Sequence, residues 1–415
     1  MCKKEKVKVA NKEPVCEIIG DKTGRKFELT KYMYGCLDPN PDAKLSSVSI
    51  TGNSMSIDLW TGCAFQCAYC HVQGVFEDLD STDKKMRYIP IRRTKFSINE
   101  ILNELAVHPL FEANTGIISI GTSSTEPFVQ GEVLESTLQV MEWFVNQGLK
   151  NPFWIVTKAG IPKGAVERLK NISLTNPIII SLCWANNEQE VEPMKNNRFK
   201  NIELFRKFSN IHFNWYLRPL VRDWSNDFTD LDAMFKKISS EYSDYITSII
   251  PGGLRWTEGI EYGMTEVRDM TLPNNVSSAS RHTKTLTEAD FQYIEKLSEK
   301  YFGRNMPVYK HSACAISNLL KTNNIALTNF FKKKDCECSI CPKEQRVRCV
   351  KSNKLDLLKI NKILVDKGID IQIIKFSPEN GQEPIVTQPD YKTFALAIKQ
   401  QLISIISRNL YREGV

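Results

Sequence analysis

Between about residue 49 and residue 265, the apolar positions of this 415-residue chain switch repeatedly between two periods. Short runs that are apolar throughout or alternate read as strands: Gly116–Gly121 (GIISIG), Phe153–Thr157 (FWIVT), Pro177–Leu182 (PIIISL) and His212–Leu217 (HFNWYL). An alternating run over Met55–Trp60 precedes them and stops at Thr61–Gly62, where a loop is expected; Ser243–Ile250 leads into a last strand. The intervening stretches have helical spacing. In Ser97–Leu105 the apolar residues Ile98, Ile101, Leu102 and Leu105 fall at i, i+3, i+4 and i+7, and Ser97 with Glu100 makes a capping box. Val133–Gln147, Ala165–Leu169, Asn201–Phe208 and about Leu231–Ile238 read the same way. Strands that alternate with helices predict an α/β fold with a parallel sheet, because parallel neighbours need crossover connections. Alternation alone leaves open whether the sheet is a barrel or an open doubly wound one.

The flanks differ in texture. Residues 1–48 hold short strand-like pieces such as Lys26–Leu29 and a loop rich in Pro and Asp over Leu37–Ala43, and read as an N-terminal extension to a core over 49–265. Residues 266–350 read as a helical and Cys-rich region, and 351–415 as a small α/β tail. The tail's pieces are a helical Leu355–Leu364, a strand at Ile369–Phe376, a loop over Gln382–Pro389 and a long amphipathic helix over Tyr391–Asn409.

Composition is that of an ordinary globular protein, with 25% charged residues and a formal charge of +7. That charge is compatible with a nucleic-acid partner without requiring one. No run of eighteen apolar residues occurs, and the N-terminus MCKKEKVKVA lacks an apolar core. No membrane contact and no signal peptide are expected, and the chain reads as cytoplasmic.

Cysteine changes the picture. Most of the 12 cysteines fall in two tight groups, which read as metal ligands held reduced rather than as a disulfide framework. Cys2, Cys16 and Cys36 are scattered without metal spacing and read as incidental thiols. In Trp60–His71 (WTGCAFQCAYCH), Cys63, Cys67 and Cys70 stand at C-x3-C-x2-C. A [4Fe–4S] cubane normally takes four thiolates, so three in one short loop leave one iron open to another ligand. Zinc sites usually pair two C-x2-C motifs, and no second pair lies near this loop.

The motif resembles that of the radical S-adenosylmethionine superfamily, C-x3-C-x-aromatic-C, with Tyr69 as the aromatic. The resemblance implies that the open iron chelates S-adenosylmethionine and that one electron cleaves it to methionine and a 5′-deoxyadenosyl radical. It implies a six-stranded partial (β/α)6 TIM-like barrel with the cluster loop after strand one, oxygen sensitivity, and an electron donor such as flavodoxin or ferredoxin. Ligands in such folds sit at the C-terminal strand ends. On that basis Gly121, Thr122, Thr125 and Glu126 after strand two are expected to bind the cofactor, with Lys158 after strand three, Ser181 near the end of strand four and Arg218 after strand five.

The segments IGTSSTEPF, IVTKAG, ISLCWANNEQEVEPMKNNRFKNIELF, WYLRPLV and GGLRW together are similar to the branch that includes spore photoproduct lyase and the DNA repair photolyase-like proteins. That branch commonly has Tyr after the third cysteine; here it is His71, so lesion chemistry does not carry over. Cys183, just past strand four, is a candidate hydrogen-atom donor to a substrate radical, with an inert buried thiol as the alternative. A nucleic-acid substrate is slightly favoured by the branch and by the basic balance.

Cys336, Cys338, Cys341 and Cys349 stand at C-x-C-x2-C-x7-C, a full set of four soft ligands. Zinc and a second [4Fe–4S] cluster both suit four thiolates. Cys314, some twenty residues earlier, is a spare ligand, a catalytic thiol or a core residue. Lys332–Lys334 and Lys343–Arg348, with Phe330 and Phe331, read either as a phosphate-tracking surface or as a solvated face. Two other classes stay open: a non-catalytic, metal-stabilised nucleic-acid-binding protein, which has no use for an open-iron triplet, and an iron–sulfur electron carrier, which needs four ligands per cluster.

Overall fold

The computed structural model describes residues 17–20, 26–29, 37–38, 40, 42–50, 54–65, 67–70, 89–108, 111–122, 124–185, 192, 198–221, 228–254, 260, 264, 286–322 and 342–351, with short pieces at 358, 361–362, 365, 373–377 and 383–386. An antiparallel pair, β1 (Glu17–Gly20) and β2 (Lys26–Leu29), precedes the main body. The chain then runs through β3 (Val48–Ile50), β4 (Met55–Ile57), β5 (Trp60–Thr61), β6 (Ile91–Arg92), α1 (Ile98–Ala106), β7 (Ile118–Ile120), α2 (Glu132–Asn146), β8 (Phe153–Thr157), α3 (Val166–Ser173), β9 (Ile178–Cys183), β10 (Ile211–Tyr216), α4 (Phe228–Tyr242) and β11 (Ile246–Ile249). Beyond lie α5 (Glu288–Phe302), α6 (Ser312–Leu319), α7 (Lys343–Lys351) and the pair β12 (Ile373–Ser377) and β13 (Glu383–Val386).

The fold is α/β around a mostly parallel sheet of seven strands, in the order β11-β10-β9-β8-β7-β4-β3. Only β3 is antiparallel to its neighbour; β4, β7, β8, β9, β10 and β11 are parallel and stand side by side in chain order. A doubly wound sheet reverses its strand order at a switch point. These six strands step one way throughout, an order compatible with a partial barrel.

Register separates the sheet's two sides, because laterally paired residues share a face and successive residues alternate. Met55, Ile118, Phe153, Ile178 and Ile211 are paired across five strands, and Ile155, Ile180 and Phe213 across three. That side is apolar and belongs to the main core with Leu102, Phe144, Leu169 and Phe235 from the helices. The opposite side carries Ser56 paired with Ser119, and Ser181 with Asn214 and then Ser248, all buried. Buried hydroxyls need partners, and these have them: Ser54 Oγ lies 2.9 Å from Ser119 Oγ, and Ser56 Oγ donates to Asp58 at 2.7 Å.

Several local expectations shift for physical reasons. The first strand ends at Ile57, and Trp60–Thr61 instead pairs with Ile91–Arg92. Asn201–Phe208 holds one 3-10 turn, Ile202–Phe205, because Asn201 before it is left-handed at φ +69°. The expected loop over Gln382–Pro389 contains β13; Pro384 is tolerated because a two-stranded pair is all edge. Cys183 is the last residue of β9 rather than just past it. The expected helix over Tyr391–Asn409 lies outside the described residues.

Candidate functional site

The cysteine loop leaves the sheet region at Gly62, whose φ of +88° suits a residue without a Cβ. Phe65, Cys67, Ala68 and Tyr69 are then buried in one apolar cluster with Val221, Leu254, Ile260 and Met264, and half-buried Cys63 and Cys70 pack against it. The Cys70 amide donates to the Cys67 carbonyl at 3.1 Å, tightening the turn between them. Burial pushes the Cys63 thiol far up, with the charges of Cys70, Glu126 and Cys67 adding to the rise. Cys67 is pushed up to about 12, first by burial, while Lys158 pulls the other way. A metal bound to these thiols would work against that rise, because the thiolate is the ligating form.

The strand ends bring polar groups to the same place. Gly121 turns the chain after β7 at φ +67°, and Glu126 follows in a buried position. Its carboxylate accepts from Thr157 Oγ1 at 2.5 Å, the Lys158 amide at 2.8 Å and the Phe128 amide at 3.2 Å. Burial raises its pKa and these donors pull it back. Thr122 Oγ1 lies 3.0 Å from Ser56 Oγ and donates to Ser119 at 3.4 Å, tying the loop to the polar side of the sheet. Thr125 Oγ1 is buried with no hydrogen-bond partner among the described residues.

Lys158, after β8, enters a network that includes two residues the sequence did not single out. The Tyr69 hydroxyl donates to Glu192 Oε2 at 2.5 Å. Lys158 Nζ stands 3.0 Å from the same oxygen, 4.7 Å over the Tyr69 ring, and also contacts the Tyr69 hydroxyl. Arg198 donates to Glu192 Oε1 at 2.6 Å and to the Lys158 carbonyl. Burial alone would raise the Glu192 pKa, yet Lys158 and Arg198 outweigh it and hold the carboxylate below its usual range. Burial disfavours the Lys158 ammonium, but Cys67, Cys183 and Glu192 raise its pKa on balance. Glu192 and Arg198 lie in a polar stretch with no apolar period and no motif spacing, so only the fold brings them here.

Further along, Trp154 Nε1 donates to Ser181 Oγ at 3.1 Å, and Cys183 Sγ donates to the Arg218 carbonyl at 3.3 Å. Burial raises the Cys183 pKa. The Arg218 guanidinium lies 4.3 Å over the Tyr216 ring. A Cβ on Gly252 would stand 2.3 Å from Arg218 Nε, so glycine is what lets this side chain cross. Arg218 Nε is buried without a partner among the described residues. Asp58, which accepts from Ser56 and from Ser124 Oγ at 3.1 Å, is a further buried carboxylate that the sequence pattern did not reveal.

Cys314 packs from α6 in an apolar cluster with Ile250, Tyr309 and Ala315, and half-buried Tyr216 packs against it. Cys336, Cys338 and Cys341 lie outside the described residues, as does the side chain of Cys349 on α7. None of Cys63, Cys67, Cys70, Cys183 and Cys314 is in a disulfide.

Among the described residues, no group of three or more His, Cys, Asp or Glu side chains stands together as a ready site for a metal ion. A cubane takes each thiolate at a different iron, which spreads its ligands more widely than one ion's coordination sphere. The chemistry of the donor set fits such a cluster: three thiols on one short loop, apolar walls, and a buried ammonium beside Cys67. No family profile matches the chain, and no curated protein matches it. No helix among the described residues is long and apolar enough to cross a membrane.

Proposed function

We propose that this chain is a radical S-adenosylmethionine enzyme built on a six-stranded partial barrel. The observation that carries the reading is the seat of the C-x3-C-x2-C loop after β4, with Glu126 after β7, Lys158 after β8, Cys183 closing β9 and Arg218 after β10. Charge interactions join them: Glu126 acts on Cys63, and Lys158 acts on both Cys67 and Cys183.

Cys63, Cys67 and Cys70 would hold a [4Fe–4S] cluster with one open iron for S-adenosylmethionine. A cluster held there and reduced by a flavodoxin- or ferredoxin-type donor would supply the one electron needed for reductive cleavage of the sulfonium C5′–S bond to methionine and a 5′-deoxyadenosyl radical. The chain's own residues bind and shield. Thr125 Oγ1 and Arg218 Nε are buried polar atoms that a polar ligand would satisfy. Thr122 and Glu126 fix the loop that carries Thr125, and Ser181 lies on the sheet's polar side. Phe65, Val221, Leu254 and Met264 form apolar walls that keep water from a radical. Cys183 is a candidate to return a hydrogen atom to a substrate radical. A nucleic-acid component is the favoured substrate class, from the +7 charge and the sequence resemblance. The cysteines at 336–349 would hold a second [4Fe–4S] cluster or zinc.

The test is the Cys63/Cys67/Cys70 triple alanine variant, prepared anaerobically beside the wild type. Replacement should remove about four irons per chain, one cubane's worth. Unchanged iron content in the variant would contradict the proposal.

A further inference from the structure

Glu192 is the one carboxylate among the described residues that touches Tyr69, Lys158 and Arg198 together. Tyr69 stands between Cys67 and Cys70 in the chain, and Lys158 lies against its ring and acts electrostatically on Cys67. Two cations thus face one anion in a buried setting. A buried carboxylate held by three donors cannot turn away, and in a low-dielectric interior its charge is felt by neighbours several ångströms off.

We infer that Glu192 is a positioning residue that sets the reduction potential of the cluster, by holding Lys158 against Tyr69 and offsetting the positive charge of the Lys158–Arg198 pair that closes on it. This rests on the radical S-adenosylmethionine reading. The reduced cluster carries one more negative charge than the oxidised one, so added positive charge nearby favours reduction. Taking away the Glu192 charge should therefore move the potential to a more positive value. Taking away the Lys158 charge should move it the other way. Removing both restores the original sum, because Arg198 alone carries the same net +1 as Lys158, Arg198 and Glu192 together.

The experiment is a potentiometric titration of the anaerobically reconstituted full chain without S-adenosylmethionine, followed by electron paramagnetic resonance. Glu192→Gln, which keeps an oxygen to accept from Tyr69, should shift the midpoint positive. Lys158→Met should shift it negative, and Glu192→Gln/Lys158→Met should return close to wild type. Tyr69→Phe breaks the hydrogen bond without altering charge and should move the midpoint least. A packing role alone predicts no sign reversal between the two single variants and no return in the double variant. Equal midpoints in all four variants overturn the inference, as does a Tyr69→Phe shift as large as that of Glu192→Gln. Should Glu192→Gln fail to fold, Lys158→Met decides alone, and an unmoved midpoint there overturns it. A wild type that holds no cluster overturns the underlying reading itself.

Discussion

At the scale of single residues the site is governed by buried charge. Glu126 is held by three donors, so Glu126→Ala would release the loop that carries Thr125. We expect at least tenfold weaker S-adenosylmethionine binding, about 1.4 kcal/mol, with iron content unchanged; equilibrium dialysis against the reconstituted variant checks both. Glu192 gives a pH signature. Its carboxyl is held below the ordinary value when folded, so the folded chain gives up that proton more readily than the unfolded one. The stability it contributes is present above the usual carboxylate value of about 4.3 and is lost as pH falls through the lower folded value. The stability gap between iron-free wild type and Glu192→Gln should therefore be full at neutral pH and close on acidification, as read by urea unfolding across pH. The cysteine triplet was legible because ligand spacing is local. Glu192 and Arg198 were not, because their roles come from partners about thirty to a hundred and twenty residues away in the chain.

At the scale of elements, caps and buried amides fix where strands and helices begin. The capping box at Ser97 is present in full, with Ser97 Oγ accepting from the Glu100 amide and Glu100 accepting from the Ser97 amide. Ser97→Ala should cost about 1 kcal/mol, measurable as a lowered urea midpoint. Asn151 is a stronger staple: its Nδ2 donates at 2.7 Å to both the Glu112 and Gly116 carbonyls, and its Oδ1 accepts from the Asn114 amide at 2.9 Å. Asn151→Ala removes all three bonds just before β7 and takes this donor from the buried Gly116 carbonyl, while the Glu112 carbonyl still accepts from the Gly116 amide; about 2 kcal/mol of destabilisation is expected in the same assay. The strands at Phe153, Pro177 and His212 lie within one residue of where hydrophobic runs placed them, because β9 is buried throughout and apolar residues mark most of the buried positions of β8 and β10. Helix α5 falls in the region read only broadly as helical, although Thr287 and Asp290 cap it in the same reciprocal way as α1. The short 3-10 turn at Ile202–Phe205 was over-read as a helix, since apolar spacing does not register the left-handed Asn201 that starts it.

At the scale of the whole molecule, one-way strand order puts each strand's C-terminal end beside that of the next, so a chain of loops can converge on one place. Alternating periodicity revealed the α/β class, but strand order is a long-range property that no local pattern carries. The site's charge balance is of the same kind. For the C-terminal cysteines, the account expects reconstituted wild type to carry about eight irons, with about four surviving in the triple variant, or else about four irons and one zinc. Metal analysis with electron paramagnetic resonance separates the two. Incubating the anaerobically reconstituted, reduced protein with S-adenosylmethionine and assaying for 5′-deoxyadenosine decides whether the proposed cleavage takes place. The product should form with the wild type and not with the Cys63/Cys67/Cys70 triple variant. Fully loaded, reduced wild type that leaves S-adenosylmethionine intact would contradict the proposal.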